Sequence, residues 1–207
     1  LKGGRRDFNG LEFVFRKRYS DNWQGLFSYN YLDATGNAVS DGNADFAGDQ
    51  FFFDPRAPNM TGRLPGTVRH LVKGAGSYTL KWGIEVGGAF RWNSGPIANR
   101  TFNVQGRRLP VLGPQYTYGG VRAPWVAPTS LAAVQNPSWG QFDLRVQHVH
   151  RFQRFTTELF LDVFNVLNNQ GATRLEDLAA GSGGTPYGSP IAWVSPRRAF
   201  LGIRGRF

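Results

Sequence analysis

The sequence predicts an all-β chain: about seven antiparallel strands forming a segment of a transmembrane β-barrel, with short periplasmic turns and long extracellular loops. Three observations carry that expectation. Apolar and polar residues alternate with period two through one stretch after another. The connections between the stretches alternate between short and long. No Lys, Arg, Asp or Glu occupies the middle of a strand on the apolar face.

The stretches follow in order. Leu11, Phe13 and Phe15 alternate with Glu12, Val14 and Arg16. Trp23, Gly25, Phe27, Tyr29 and Tyr31 alternate with Gln24, Leu26, Ser28 and Asn30. Val72, Gly74, Gly76 and Tyr78 form the apolar side of a third strand, against Lys73, Ala75 and Ser77. The clearest case runs from Trp82 through Ile84, Val86, Gly88 and Phe90 to Trp92, with Glu85, Gly87, Ala89, Arg91 and Asn93 opposite. Phe142, Leu144 and Val146 face away from Asp143, Arg145 and Gln147. Phe155, Thr157, Leu159, Leu161 and Val163 face away from Thr156, Glu158, Phe160 and Asp162. Ala199, Leu201, Ile203, Gly205 and Phe207 close the chain, against Arg198, Phe200, Gly202, Arg204 and Arg206. Strict alternation of this kind marks strands with one apolar and one polar face.

Three connections are short: residues 19–22, about Thr79–Lys81 and about Arg151–Arg154. Three are long: about Thr35–Arg69, Gly95–Ser138 and Asn168–Ser195. Structureless loops beyond about 12–15 residues are uncommon in compact domains. Here they all fall at one end of the hairpins, which is the anatomy of a transmembrane barrel. The ten steps from Trp82 to Trp92 give roughly 33 Å of strand, and a tilt of about 40° brings that to about 25 Å, the height of an outer-membrane apolar band. Trp23, Tyr78, Trp82, Phe155 and Phe207 are placed at the periplasmic interface, and Tyr31 and Trp92 at the outer one.

The chain has 207 residues, with 24 Lys+Arg against 14 Asp+Glu and a formal net charge of +10. Aromatics at 14% exclude disorder of the whole. The absence of Cys excludes a disulfide framework, a thiolate metal site and a Cys nucleophile. No apolar run approaches the ~18 residues of a spanning helix, which excludes a helical membrane protein but not a barrel. The chain opens at Leu1 with neither Met nor a signal peptide, so a fragment is expected. A strongly basic chain first suggests nucleic acid. The charges, however, share one face (Glu12, Arg16, Lys73, Glu85, Arg91, Asp143, Arg145, Glu158, Asp162, Arg198, Arg204 and Arg206) while the aromatics mostly occupy the other. A nucleic-acid platform needs both on one face, so no nucleic-acid partner is expected. The charged face reads instead as a lumen wall, with Asp143 and Glu158 expected to pair with neighbouring Arg residues. Lys17 and Arg197 share the apolar parity but lie at strand ends, where they can snorkel.

Four motifs then resemble one family. SPRRAFLGIRGRF (195–207), FLDVFNVLNNQ (160–170), GQFDLRVQHVHRF (140–152) and GSYTLKWGIEVGGAFRWNSGPI (76–97) are similar, in this order, to the closing strands of TonB-dependent outer-membrane receptors, and within these to the Oar-like receptors. The resemblance covers most of the chain from Arg69 onward. Residues before Arg69 match by pattern alone. It implies that 1–207 is the C-terminal portion of a barrel of about 22 strands in the outer membrane of a Gram-negative-type bacterium. The plug domain, the earlier strands and the TonB box are absent from this sequence. Implied partners are the rest of the barrel and its plug, the TonB complex through that plug, the lipid bilayer and the barrel-assembly machinery. Phe207 resembles the terminal aromatic that this machinery recognises. Gly66-Thr67-Val68 departs from the family, which often places an Asp shortly before the Arg-His found here at Arg69-His70.

The implied function is uptake of a large or scarce ligand captured by the extracellular loops. The alternative is a passive or structural, adhesin-like outer-membrane barrel. Candidate ligand contacts are Arg91, Asn93, Asp143 and Arg198 in the upper lumen, with Phe52, Arg107, Tyr116 and Trp125 in the loops, where aromatics and Arg enrich binding surfaces. No catalytic motif is present, so no enzyme activity and no catalytic residue are expected. Glu158 and Asp162 are about 13 Å apart along a strand, too far for paired carboxylate catalysis. No cofactor and no metal are expected. Asp41–Asp45 is oxygen-rich enough to suit Ca²⁺ but lacks the spaced ligands and terminal Glu of an EF-hand loop. His148 and His150 share a face, but that face lacks carboxylates.

Overall fold

The structure is a computed structural model. It describes residues 4–37, 61–64, 66–98, 100–104, 121–125, 134–177 and 183–207, with backbone alone for 100–104, 121–125 and 134. Seven long strands follow one another: β1 (Arg6–Ser20), β2 (Trp23–Gly36), β3 (His70–Thr79), β4 (Ile84–Asn93), β5 (Trp139–Arg151), β6 (Thr156–Phe164) and β7 (Arg198–Arg206). They form one antiparallel sheet in which each strand pairs with its sequence neighbours, and Gly62–Arg63 adds to the end of β2. The sheet is open, with β1 and β7 as its edges. Among the described residues no helix is long and apolar enough to cross a membrane, which says nothing about strands.

Register settles which residues share a face, because directly opposed residues point the same way. Phe15 opposes Phe27, Phe27 opposes Gly74, Gly74 opposes Phe90 and Phe90 opposes Phe142. A second row joins Val146, Leu161 and Leu201. The apolar residues of all seven strands therefore make one continuous surface, and it is bare: Leu11, Phe13, Phe15, Leu159, Leu201 and Ile203 are all exposed. A continuous apolar surface of this kind marks a face that meets a partner or a membrane.

The rows are also inclined. From Trp23, the first residue of β2, one row runs through Tyr78, Val86, Val146 and Leu161 to Leu201. Leu201 lies five residues short of Arg206, where β7 ends. Five residues of rise at ~3.3 Å, over five strand spacings at ~4.8 Å, is a slope of about 35°. Strands of transmembrane barrels tilt by about 35–45°.

The short turns fit their residues. Asp21 and Asn22 both have positive φ, 53° and 66°, between the paired Ser20 and Trp23. A two-residue hairpin needs that conformation, and Asp and Asn tolerate it. Sequence periodicity starts the fourth strand at Trp82, but the structure starts it at Ile84. Lys81–Gly83 is a single 3₁₀ turn, with Trp82 (φ 60°) and Gly83 (φ 74°) left-handed, so Trp82 is lifted out of the ladder and stands exposed. β1 and β2 run beyond their predicted ends, since Arg6–Gly10 pair with Leu32–Gly36.

The long connections are not structureless. Ile97–Ala98 pair with Val134–Gln135, Arg100–Val104 with Val121–Trp125, and Ala172–Leu175 with Pro190–Trp193. The buried apolar residues Ala34, Leu64, Ile97 and Val194 lie at this end of the sheet, with the buried polar Thr67, Asn93, Asn136, Asn165 and Glu176. The core thus sits under the loops, and the middle of the sheet is a wall.

Candidate functional site

The polar face carries an ion network near the short turns, a cleft above it and a hydrogen-bonded rim under the long loops. The network centres on Glu158. Its carboxylate lies 3.4 Å from Arg145, 3.4 Å from Arg204 and 3.8 Å from Arg206. Arg145 also reaches Asp162 at 3.5 Å, so one guanidinium spans two carboxylates on the same strand. Phe160 lies between them, with Arg145 4.2 Å and Arg204 5.9 Å from its ring centroid. Gly202 opposes Phe160, and a β-carbon there would collide with the ring. The glycine is what lets Phe160 lie flat as a platform for both cations. Beside it Gln147 donates to Glu85 at 2.9 Å.

Glu158 is the hub of this network, and its side chain is only 12% exposed. Glu158→Gln in the full-length protein is expected to cost about 1–2 kcal/mol, because three Arg residues lose their shared anion in a partly solvated setting. Urea unfolding in lipid vesicles measures this, and the loss should shrink in high salt. A loss that does not change with salt would mean that packing rather than charge holds the cluster.

A cleft of about 740 Å³ opens on the same face, between Arg16, Gln24, Ser77, Glu85, Asp143, Arg145 and Asp162, over a floor that includes Ala75, Gly87 and Ala89. The lining also includes Tyr19, Leu26, Leu144 and Phe164, so the cleft is of mixed character.

At the rim, Asn165 ends β6 with φ 52° and is 1% exposed. Its Nδ2 donates to the carbonyls of Asn169 (2.8 Å) and Ser195 (2.7 Å), and its Oδ1 accepts from Asn169 N (3.0 Å). Asn169 Nδ2 donates to Gly140 O at 2.8 Å, and Asn168 Oδ1 accepts from Arg197 N at 3.0 Å. Asn136 ties the two later loops together, donating to Pro96 O (2.9 Å) and accepting from Leu175 N (2.8 Å). Gly95 has φ 75° and no room for a β-carbon beside Asn136 O, so only glycine serves in the Ser94-Gly95-Pro96 turn.

The expected ligand contacts fall in different places. Arg91 opposes Lys73 and Gln141 on the polar face and lies 5.3 Å from the Trp139 ring. Arg198 lies 5.2 Å from the Phe164 ring, and Phe200 meets Phe164 edge-on at 5.9 Å. Asn93 is 3% exposed, with Oδ1 accepting from Gly95 N at 2.9 Å, which gives it a turn-holding position. Asp143 differs from the expected ion pair: its Oδ1 accepts from Gln141 Nε2 (2.7 Å) and from Asn165 N (2.8 Å). The loop root comes closer to this carboxylate than any Arg among the described residues. The backbone of Trp125 pairs with that of Arg100. Phe52, Arg107, Tyr116 and the Asp41–Asp45 stretch lie outside the described residues. Phe207 is fully exposed at the end of the sheet, 6.4 Å from the Phe155 ring.

Lys17 turns toward the end of its strand. Its Nζ reaches down to Ser20 O at 2.9 Å and sits 4.3 Å from the Trp23 ring centroid. His148 Nε2 is engaged with Trp82 O at 3.0 Å, and His150 packs edge-on against Phe152 at 4.4 Å. Held by a carbonyl, the Nε2 of His148 acts as a donor. Sequence reasoning did not single out Asn136 or Gln135, whose Nε2 donates to Gly95 O at 2.9 Å. They lie in a long loop without periodicity, where no pattern marks them. Asn165 and Asn169 stand inside the quoted FLDVFNVLNNQ motif, but as family markers without a role.

No family model matches the chain, and no curated protein matches it. Among solved structures, that of the siderophore receptor PiuA from Acinetobacter baumannii is similar, with a TM-score of 0.53 at 14% identity. The match covers 98% of this chain and 22% of that receptor, so the chain spans about a fifth of the receptor's length. At such identity the likeness is one of fold: nearly the whole chain follows part of that receptor.

Proposed function

We propose that this chain is the C-terminal part of the barrel of a TonB-dependent, Oar-like outer-membrane receptor. In this reading β1 and β7 pair with further strands to close a barrel of about 22 strands. In a bilayer the N–H and C=O groups along the outer edges of β1 and β7 find no water, so the sheet closes on further strands. The observation that carries the reading is the inclined sheet with its uninterrupted apolar outer face, together with the fold shared with a siderophore receptor. The loops capture a ligand, and a plug moved by TonB admits it to the lumen. The chain supplies wall, loops and the terminal Phe207 for assembly, and no enzymatic step.

Uptake tests this. Cells carrying the full-length gene are expected to accumulate radioactive iron from at least one of a panel of ferric hydroxamate and catecholate siderophores, more than a deletion strain does. An uncoupler should abolish the difference. Uptake that survives the uncoupler would fit a passive barrel instead. Outer-membrane protein with no uptake of any panel member would remove siderophores as the substrate class.

A further inference from the structure

At the short-turn end of the polar face, three opposed residues form a basic bracket. Arg151, the last residue of β5, opposes Thr156, the first of β6, and Thr156 opposes Arg206, the last of β7. Opposed residues share a face, and this row has the parity of Arg145 and Glu158, so all three side chains stand on the polar side. The Phe152 amide donates to the Phe155 carbonyl at 2.8 Å and closes the hairpin between Arg151 and Thr156. Two long guanidinium side chains thus flank one short hydroxyl. Two strand spacings of ~4.8 Å put the arginine Cα atoms about 10 Å apart, a gap that both heads can close above Thr156.

The three residues line one cavity of about 430 Å³, together with Arg145, Arg204 and Glu158. Its charge is unbalanced. Glu158 is shared by Arg145 and Arg204 at 3.4 Å, and Arg206 is held least closely, at 3.8 Å. Arg145 also turns to Asp162. Among the described residues, the Arg151 side chain makes no ion pair and the Thr156 hydroxyl no hydrogen bond. Four cations (Arg145, Arg151, Arg204, Arg206) meet two anions (Glu158, Asp162), an excess of two positive charges. The Arg204 and Arg206 side chains are 50% and 69% exposed, so a dissolved anion reaches them. A guanidinium fork matches two oxygens of a phosphate group. Two forks from opposite sides and a hydroxyl beneath suit a tetrahedral group better than a planar carboxylate. The bracket faces away from the apolar surface, so the phosphate it meets is in water and not in a lipid layer.

We infer that Arg151, Thr156 and Arg206 form a binding site for a phosphate group at the periplasmic end of the lumen wall, either the free ion or a monoester on a passing solute. The inference rests on the membrane-barrel reading. Glu158 competes with the anion for Arg204 and Arg206. The test is equilibrium dialysis of radioactive inorganic phosphate against full-length protein in detergent, at constant ionic strength set with chloride. Saturable binding of one phosphate per chain is expected. Arg151→Gln and Arg206→Gln should each weaken it about fivefold, and the pair together about twenty-fivefold. Thr156→Val should weaken it about threefold. Glu158→Gln should tighten it about threefold, because the competing carboxylate is gone, whereas a Glu158 that only holds strands together would leave it unchanged. Lys81→Gln, on another turn, should change nothing. Arg151→Lys with Arg206→Lys keeps the charge and should lose less than the Gln pair, and heat-modifiable gel migration shows that each variant still folds. Competition by glycerol 3-phosphate would support a phosphorylated solute, and its failure beside bound inorganic phosphate would support the free ion. Absence of saturable binding, wild-type affinity in the double Gln variant, or equal competition by acetate would overturn the site. A folded barrel that ignores phosphate overturns this site alone. Wild-type protein that stays in water without detergent overturns the barrel, and with it the lumen placement of the site.

Discussion

Leu161→Arg in the full-length protein is expected to destabilise the folded state by about 2–4 kcal/mol, measured by urea unfolding in lipid vesicles, whereas Ala89→Arg should shift it by less than about 1 kcal/mol. Both positions are central in their strands, and both are exposed. They differ only in face. Leu161 opposes Val146 and Leu201, so its side chain belongs to the apolar surface. Ala89 opposes Ala75 and Asp143 and helps floor the polar cleft, where an added guanidinium finds water and a carboxylate. In a soluble sheet packed on some other element, the two changes would be costly or harmless for reasons of space alone. In a membrane wall the cost follows the solvent. Equal effects, or a larger one at Ala89, would sink the lipid assignment of the apolar face.

That contrast also explains what the sequence made legible. In the proposed reading the sheet is a barrel wall, legible by parity, because each strand then has hydrocarbon on one side and water on the other. The row of opposed residues from Phe15 to Phe142 obeys it. Positions where the chain leaves the ladder were not legible in this way. Trp82 keeps the parity of the strand that follows it, yet a left-handed turn takes it out of that strand. Asp143 was expected to pair with Arg, and by charge alone that is the better partner. Backbone geometry decides otherwise, because the chain bends back at Asn165 and delivers an amide to that carboxylate. Arg63 shows the same limit from another side. Nothing local in Gly62-Arg63 marks a strand, and its place beside Asp33 follows only from two residues of pairing with the end of β2. The rim is built from such long-range hydrogen bonds, in which Asn side chains substitute for a ladder that has ended, so composition suggested loops there and could not say which residues hold them.

Asn165 is where that substitution is most concentrated, and its replacement by Ala is expected to cost about 3–5 kcal/mol. Three hydrogen bonds go with the side chain, and at 1% exposure no water replaces them. The carbonyls of Asn169 and Ser195 and the amide of Asn169 lose the partner that the side chain gave them, and buried polar groups without partners carry a desolvation cost. The backbone adds a separate term. At φ 52° Ala is disfavoured by roughly 1 kcal/mol or more, a conformation that Asn tolerates and Gly adopts freely. The two terms separate by comparison. Asn165→Gly removes the same hydrogen bonds but relieves the strain, so it should fall about 1 kcal/mol short of the Ala variant. Unfolding in lipid vesicles gives the totals. Limited proteolysis gives the place, with earlier cleavage expected near Ser195, since the root of the last loop is held through that residue's carbonyl. If Asn165→Ala costs less than about 1 kcal/mol, the rim is held by its other contacts and Asn165 is only a turn residue. If Gly and Ala cost the same, the strain term is absent and the hydrogen bonds carry the whole effect.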